Sequence, residues 1–338
     1  MATSTIETNL PSRPALSGGL LVLLAAVGFS AKAILVKLAY AYDPKLDAIT
    51  LMSLRMLMSL PFFLLVALWS HRGGGNSRLA PRELGMVAGL GILGFYLAGF
   101  LDFAGLSYIS AGLERLILFL YPTLVVLFSA LFFNRPMTVR ERNALLLSYL
   151  GIALVFGSNA MAYSPHLFLG AALIFGAALT FAIYILISGH YVVRLGSARY
   201  TAYAMTSACF ATGFHFAATH HVVAGLDLPT RVYGVVLLMA VFCTVIPAFL
   251  LSAGMYRIGA NSTSIISSIG PVITLSLAYV LLDERMTTLQ LAGTTLVIAG
   301  VLIASTRGKA AGDDEASVEV RPEQVAAVGF AGEGEETP

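Results

Sequence analysis

Long runs of apolar residues, separated by short polar connections, dominate the chain. A helix of about 20 apolar residues crosses the hydrocarbon core of a bilayer, which is roughly 30 Å thick. Only helices and closed barrels satisfy the backbone in lipid, and barrel strands are much shorter than these runs, so the runs predict helices. Ten transmembrane helices are predicted, near residues 17–39, 47–69, 83–106, 111–133, 140–157, 167–188, 199–219, 231–255, 261–282 and 288–305.

The second half of the chain repeats the first. A shift of 149 residues aligns 109–151 with 258–300 without a gap, and a shift of 152 aligns the first predicted helix with the sixth. The aligned pairs least expected by chance are prolines and glycines: Pro122 with Pro271, Gly151 with Gly300, and Gly18 with Gly170. Because five is an odd number, a second copy of five helices enters the membrane from the opposite side. The sequence therefore predicts an all-α, polytopic membrane protein built as an inverted 5+5 repeat, an architecture of many secondary transporters.

This interpretation divides the chain into four parts. We expect a cytoplasmic N-terminal tail over 1–16, five-helix repeats over 17–157 and 166–305, and a cytoplasmic tail over 306–338. The last of these is rich in Gly, Ala, Glu and Asp with few large apolar residues, so it is predicted to be disordered.

Composition and charge narrow the class of protein. Of the 338 residues, 58% are hydrophobic and only 11% are charged, whereas a typical soluble domain is about 25% charged. An ordinary soluble enzyme and a folded nucleic-acid binder are therefore both unexpected. The two cysteines exclude a disulfide framework. The net charge of +2 divides unevenly, because residues 1–312 carry 19 basic and 10 acidic side chains and the last 26 residues carry one and eight.

The basic residues of the short loops predict the orientation. One set of loops and termini holds twelve of them: Arg13, Arg72, Arg78, Arg82, Arg135, Arg140, Arg142, Arg194, Arg199, Arg257, Arg307 and Lys309. The opposite set holds four, namely Lys37, Lys45, Arg231 and Arg285. We therefore expect a multi-pass protein of the cell membrane, the bacterial inner membrane, with both termini in the cytoplasm.

Five charged residues interrupt the predicted helices, namely Lys32, Arg55, Asp102, Glu114 and Arg115. Charges inside a bilayer are costly unless they pair or face a cavity, so these residues are the main candidates for a substrate-binding and translocation site. Three are cations and two are anions, which favours Lys32 or Arg55 as a partner for a substrate carboxylate or phosphate. The alternative is structural: Asp102 could pair with Arg115, Glu114 could pair with Lys32 or Arg55, and Lys32 could extend toward the outer interface. A poorly paired Asp102 or Glu114 would favour its protonated form and permit proton coupling, the other option being exchange for a counter-substrate.

The fourth and ninth predicted helices each contain a proline, Pro122 and Pro271. A proline within a helix frees a backbone carbonyl, which must line a cavity or find another partner. Ser264 and Ser268 lie on the same helix face as Pro271. We therefore expect a central cavity between these two helices.

The remaining candidates are weaker. Tyr96 and Tyr184 lie within predicted helices, where each either lines the cavity or packs in the core with one hydrogen bond. His215, His220 and His221 are five and six residues apart, and that spacing does not bring ligands together on a helix. No metal site and no cofactor are expected.

The stretch LLDERMTTLQLAGTTLVIAGVLIAS, residues 281–305, resembles the C-terminal signature of the EamA family in the drug/metabolite transporter superfamily. Residues 106–138 resemble the matching part of the first half, and the resemblance covers about 17–305. It implies ten helices, cytoplasmic termini, and export or exchange of small metabolites. One departure is that the family's acidic residue after helix 9, Glu284, falls on Arg135 in the first repeat.

Together these features predict a secondary active transporter, an exporter or exchanger that works by alternating access between its two halves. Its substrate would be a small metabolite, anionic or zwitterionic, such as an amino acid or an organic acid. The alternatives are an integral-membrane enzyme, which would require a cluster of His, Asp or Glu at one membrane face, and a channel. The expected partners are the small-molecule substrate and the lipid bilayer.

Overall fold

The computed structural model describes residues 15–72, 80–132, 138–160, 166–219, 228–267, 269–283 and 287–305. These residues form thirteen α-helical segments. The segments are α1 (Ala15–Tyr42), α2 (Ala48–Arg72), α3 (Pro81–Gly91), α4 (Ala98–Leu106), α5 (Ala111–Leu118), α6 (Tyr121–Phe132), α7 (Val139–Ala160), α8 (Leu167–Leu195), α9 (Ser197–Thr219), α10 (Thr230–Ala240), α11 (Ile246–Ser267), α12 (Gly270–Leu282) and α13 (Thr288–Ser305).

Many of these helices are membrane-spanning by length and composition. Six helical stretches of the described residues are long and apolar enough to cross a bilayer: Gly18–Tyr42, Ala48–Ser70, Pro81–Leu106, Ala111–Phe128, Leu167–Gly189 and Thr230–Ile258. Shorter apolar helical stretches are Arg142–Leu154, Gly270–Leu282 and Leu291–Gly300. The chain is therefore an all-α, polytopic membrane protein, as predicted. Ten helices is an approximate count, because some predicted helices are divided and two are joined.

The predicted helices that contain the prolines are divided at equivalent positions. In the first half α5 ends at Leu118 and α6 begins at Tyr121, and 149 residues later α11 ends at Ser267 and α12 begins at Gly270. The proline follows as the second residue of the new helix in both halves, where its missing N–H costs nothing. The same aligned sequence thus produces the same break in both halves.

A π-helical segment interrupts one long helix in each half. Ile92–Leu97 lies between α3 and α4, and Val241–Val245 lies between α10 and α11. The first residues of these segments are also 149 positions apart. Segments of π helix are rare in proteins, and those that occur are often found at functional sites.

The chain is helical from Thr230 to Ser267, where the sequence predicted a connection between helices 8 and 9. Contacts along α1 show that the chain nevertheless reverses there. Pro247 packs on Gly28, and the carbonyl of Gly270 accepts a hydrogen bond from the hydroxyl of Ser30, only two residues further along α1. A straight helix over 247–270 would be roughly 34 Å long, so the two predicted helices exist and are joined through a helical turn.

The two halves have opposite orientations. Gly151 of α7 lies against Gly293 of α13, and Gly300 of α13 lies against Ala144 of α7. These two contacts are related by the 149-residue shift, and they show that the equivalent helices α7 and α13 run antiparallel. The repeat is therefore inverted.

The halves also interlock through their first helices. Gly18 of α1 contacts Ile258 of the second half, and its equivalent Gly170 of α8 contacts Ile109 of the first half. Each repeat thus packs its first helix against the other repeat, so both halves contribute walls to the centre of the molecule.

Candidate functional site

The centre of the molecule contains a cavity of about 220 Å³. Side chains from both halves line this cavity, and five of them belong to site residues predicted from the sequence. Lys32, Arg55, Asp102, Arg115 and Tyr184 line the cavity directly. The site contains two sets of contacts, one between charged side chains and one between aromatic rings.

Lys32 of α1 links the two acidic residues. Its Nζ forms an ion pair with Oδ2 of Asp102 in α4 and lies 3.7 Å from Oε1 of Glu114 in α5. Asp102 is 2% exposed and Glu114 is fully buried. Of the pairings considered from the sequence, the structure contains Lys32 with Glu114, while Asp102 pairs with Lys32 instead of Arg115.

The start of α5 positions Glu114 and Arg115. The hydroxyl of Ser110 accepts a hydrogen bond from the N–H of Leu113 at 3.2 Å and caps the helix. Glu114 therefore lies in the first turn, where the helix dipole favours a negative charge. Glu114 is not in the cavity wall, whereas the next residue, Arg115, is.

Arg55 of α2 is held by one hydrogen bond and one ring. Its Nη1 donates to the hydroxyl of Thr244 at 3.1 Å, and its guanidinium carbon lies 4.8 Å from the ring centre of Phe103. The side chain is 6% exposed, and its Nε has no hydrogen-bond partner among the described residues. Within the described residues no carboxylate lies within the 4 Å ion-pairing distance of Arg55.

Thr244 lines the cavity and was not predicted from the sequence, like the rings of Phe95, Phe103, Tyr121 and Phe181. It lies in the second π segment, where its hydroxyl also donates to the carbonyl of Met239 five residues earlier, at 3.0 Å. This spacing is that of a π helix. The signal for Thr244 in the sequence was a hydroxyl inside the apolar run 231–255.

Arg115 reaches the break in the second half. A Cβ on Gly270 would lie 2.5 Å from Nη2 of Arg115, so the guanidinium lies directly against the start of α12. No carboxylate of the described part of the chain lies within ion-pairing distance of Arg115, as is also the case for Arg55. The Nε of Arg115 has no hydrogen-bond partner in that part of the chain. Two arginines therefore line the cavity while the acids pair with Lys32.

Aromatic rings form a second wall. Tyr184 of α8 packs edge-on against Phe95, with ring centres 5.0 Å apart, and stacks on Phe181 at 5.5 Å. Phe181 in turn packs edge-on against Tyr121 at 5.1 Å. The four rings line the cavity, so its wall combines charged side chains with apolar, aromatic ones.

The other predicted site residues lie elsewhere or outside the described part. Tyr96 is not in the cavity wall, and its hydroxyl is hydrogen-bonded to Nδ1 of His215 at 2.9 Å. Pro122 and Pro271 are buried beside the two helix breaks and do not line the cavity. Ser268 and the side chain of Ser264 are outside the described residues. The described residues hold no group of three His, Cys, Asp or Glu suited to a metal ion.

This geometry defines a class of protein: a helical membrane protein with two inverted halves and a charged cavity where they meet, the architecture of many secondary transporters. The particular family follows from comparison. The chain belongs to the EamA-like transporter family, whose sequence model matches residues 16–157 and 168–306. The match falls on both repeats, and the family resemblance noted in the sequence is confirmed.

Individual proteins agree with this assignment. The chain is 33% identical over 292 residues to the "Uncharacterized transporter YcbK" of Bacillus subtilis (strain 168), covering 85% of this chain and 92% of that protein. It is 26% identical over 244 residues to the "Uncharacterized transporter YyaM" of the same organism, covering 72% and 79%. A crystal structure with 18% sequence identity has the same fold, with a TM-score of 0.61 over 86% of this chain and 97% of that one.

Proposed function

We propose that this transporter is a secondary active carrier that exports or exchanges a small metabolite with an anionic group. The cargo is an organic acid or an amino acid, whose carboxylate binds Arg55 and Arg115 in the central cavity. The observation that carries the proposal is that both arginines line the cavity with no carboxylate of the described residues within 4 Å.

The charge balance of the cavity supports an anionic cargo. Lys32 pairs with Asp102 and Glu114, and together with the two arginines the cations of the site outnumber its acids by three to two. A buried cation without a counter-ion is costly, whereas a bound carboxylate would satisfy it with charge-assisted hydrogen bonds. Arginine suits this task because its planar group binds a carboxylate through two hydrogen bonds.

The size and walls of the cavity limit the rest of the cargo. Its volume of about 220 Å³ is below the roughly 300–1,000 Å³ of sites that take drug-sized ligands. The rings of Phe95, Phe181 and Tyr184 also line the cavity. We therefore expect a compact molecule with one anionic end and an apolar body.

The inverted repeat supports alternating access as the mechanism. Two equivalent halves in opposite orientations form the same cavity, so exchanging their conformations would expose it to the other side. We place both termini in the cytoplasm of a bacterial inner-membrane protein, in accordance with the distribution of Lys and Arg between the loops. Energy would come from a proton gradient or from a counter-substrate.

The first experiment compares metabolites inside cells and in the medium for strains that lack or overproduce the protein. A small acid that accumulates inside the deletion strain and outside the overproducer would be the cargo. Counterflow of that compound in proteoliposomes then separates the alternatives, because a channel gives no counterflow and an enzyme would alter the compound.

Arg55→Gln tests the site itself. A charge-assisted hydrogen bond contributes about 1.5–3 kcal/mol, so we expect the apparent affinity in counterflow to fall about tenfold or more. Arg142→Gln is the matched control, since Arg142 is exposed on α7 and away from the cavity. Equal counterflow in the Arg55 variant, the control and the wild type would remove Arg55 from the cargo site.

A further inference from the structure

The cluster of Lys32, Asp102 and Glu114 is not explained by cargo binding alone. Glu114 is fully buried, does not line the cavity, and has no hydrogen bond to either carboxylate oxygen among the described residues. Its partner Lys32 is closer to Asp102, and Oδ1 of Asp102 also lacks a hydrogen bond there. Two buried carboxylates therefore share one ammonium group.

This arrangement holds one negative charge too many for a buried site. An ionised carboxylate without a full set of partners is strongly disfavoured away from water. A proton on the less well-paired acid removes the excess charge and supplies a hydrogen-bond donor. Glu114 is that acid, since its contact with Lys32 is longer, at 3.7 Å, and it has no contact with the cavity.

The charged groups around Glu114 come from three helices. Lys32 belongs to α1, Asp102 to α4, and Arg115 to α5 itself, and the charges of all three act on Glu114. The other helices that pack on α5 are α7, α8 and α12, and no charged group of their described residues is among those that act on Glu114. Arg115 is the group that is shared between Glu114 and the cavity.

We propose that Glu114 is a proton-binding site whose occupancy is linked to an anion at Arg115. Without cargo, the positive charge of Arg115 favours the ionised form of Glu114. A bound carboxylate neutralises Arg115, so Glu114 then takes up a proton on a carboxylate oxygen. By thermodynamic reciprocity, the proton favours anion binding to the same extent.

The consequence for transport rests on the proposed function. If an anionic cargo and a proton bind together, they cross the membrane together, and the loaded carrier moves no net charge at this pair of sites. The transporter would then be a proton–anion symporter, which releases protons with an accumulated acid when it works as an exporter.

The test needs no knowledge of the cargo, because Arg115→Gln reproduces the neutralised arginine. Infrared spectroscopy of the purified protein in lipid nanodiscs detects a protonated carboxyl group as a separate C=O band. At neutral pH we expect a stronger band in Arg115→Gln than in the wild type, and no such band in Arg115→Gln/Glu114→Gln. In Arg115→Gln/Asp102→Asn the band should weaken, because Lys32 then has only Glu114 to pair with.

Two results would overturn the proposal: a band of equal size in the wild type and Arg115→Gln, or a band kept when Glu114→Gln is added to Arg115→Gln. Glu114→Asp in the Arg115→Gln background keeps a carboxyl group if glutamine disturbs folding, and its band should be displaced but present. Counterflow tests the proposed function separately. Normal counterflow with an unchanged band would leave the carrier function standing and remove the proton site.

Discussion

In the first half of the molecule α5 ends at Leu118 and α6 begins at Tyr121, and in the second half the equivalent break lies between Ser267 and Gly270. The π segments are related in the same way. The side chains at equivalent positions nevertheless differ. The 149-residue shift and, for the first helix, the 152-residue shift pair charged residues with neutral ones: Lys32 with Tyr184, Asp102 with Leu251, Glu114 with Thr263, and Arg115 with Ser264.

This difference separates two tasks. The backbone irregularities occur twice, as expected if both halves must adopt the same pair of conformations in turn. The charges occur once, because both halves enclose a single cavity that needs a single set of binding groups. A second copy would also bury two more acids and two more cations, at a large desolvation cost.

The largest effect should come from breaking the charge cluster in the first half. Lys32→Met leaves Asp102 and Glu114 buried without their shared cation, and breaking a buried ion pair costs about 3–5 kcal/mol. We expect a strongly lowered thermal midpoint in detergent, measured by size-exclusion chromatography of heated samples. The equivalent change in the second half, Tyr184→Met, removes no charge and should have a much smaller effect.

A rescue variant identifies the cause. Lys32→Met/Asp102→Asn/Glu114→Gln has no unpaired acid, so most of the lost stability should return. If the triple variant is as unstable as Lys32→Met, the loss reflects packing of the lysine stem rather than charge, and the contrast between the halves is not electrostatic.

A smaller effect, equal in the two halves, is expected where the structure is symmetric. A Cβ on Gly151 would lie 2.5 Å from the carbonyl oxygen of Gly293, and a Cβ on Gly300 would lie 2.7 Å from that of Ala144. Both contacts are with backbone, so Gly151→Ala and Gly300→Ala must separate α7 from α13. Overpacking of this kind costs about 1–3 kcal/mol, and the thermal midpoints of the two variants should fall by similar amounts.

Unequal losses would show that the symmetry of this interface does not extend to its energetics. Gly213→Ala is a suitable control, because Gly213 lies in helix α9 and a Cβ there would meet no neighbouring atom. It should not lower the thermal midpoint.

Much of the fold could be predicted from the sequence. Apolar runs of bilayer length indicate helices directly, and the alignment of Pro122 with Pro271 gives the repeat and its inversion. The π segments could not be predicted, because one extra residue in a turn leaves no mark in a run such as 231–255, where nearly every residue is apolar. The helical join between the predicted helices 231–255 and 261–282 was missed for a related reason: a short connection between two apolar runs can be helical itself.

The site was harder to predict than the fold. Charges inside apolar spans identified Lys32, Arg55, Asp102, Glu114 and Arg115 as candidates, since each is costly in a bilayer. Their pairing depends on how each helix is rotated about its axis, and a single sequence does not contain that information for helices in different parts of the chain. For the same reason the sequence could not tell which tyrosine lines the cavity.

The smallest effect should therefore distinguish the two tyrosines. Tyr96→Phe removes the hydrogen bond to the half-buried His215 and keeps the ring, so stability should fall by about 1 kcal/mol. Counterflow should be unchanged because Tyr96 is not in the cavity wall. Tyr184→Phe, in the wall and equivalent to Lys32, should show the opposite pattern, a change in apparent affinity for cargo that exceeds its change in thermal midpoint. If Tyr96→Phe alters counterflow more than Tyr184→Phe does, cargo binds beside Tyr96 and His215, and the central cavity is not the binding site.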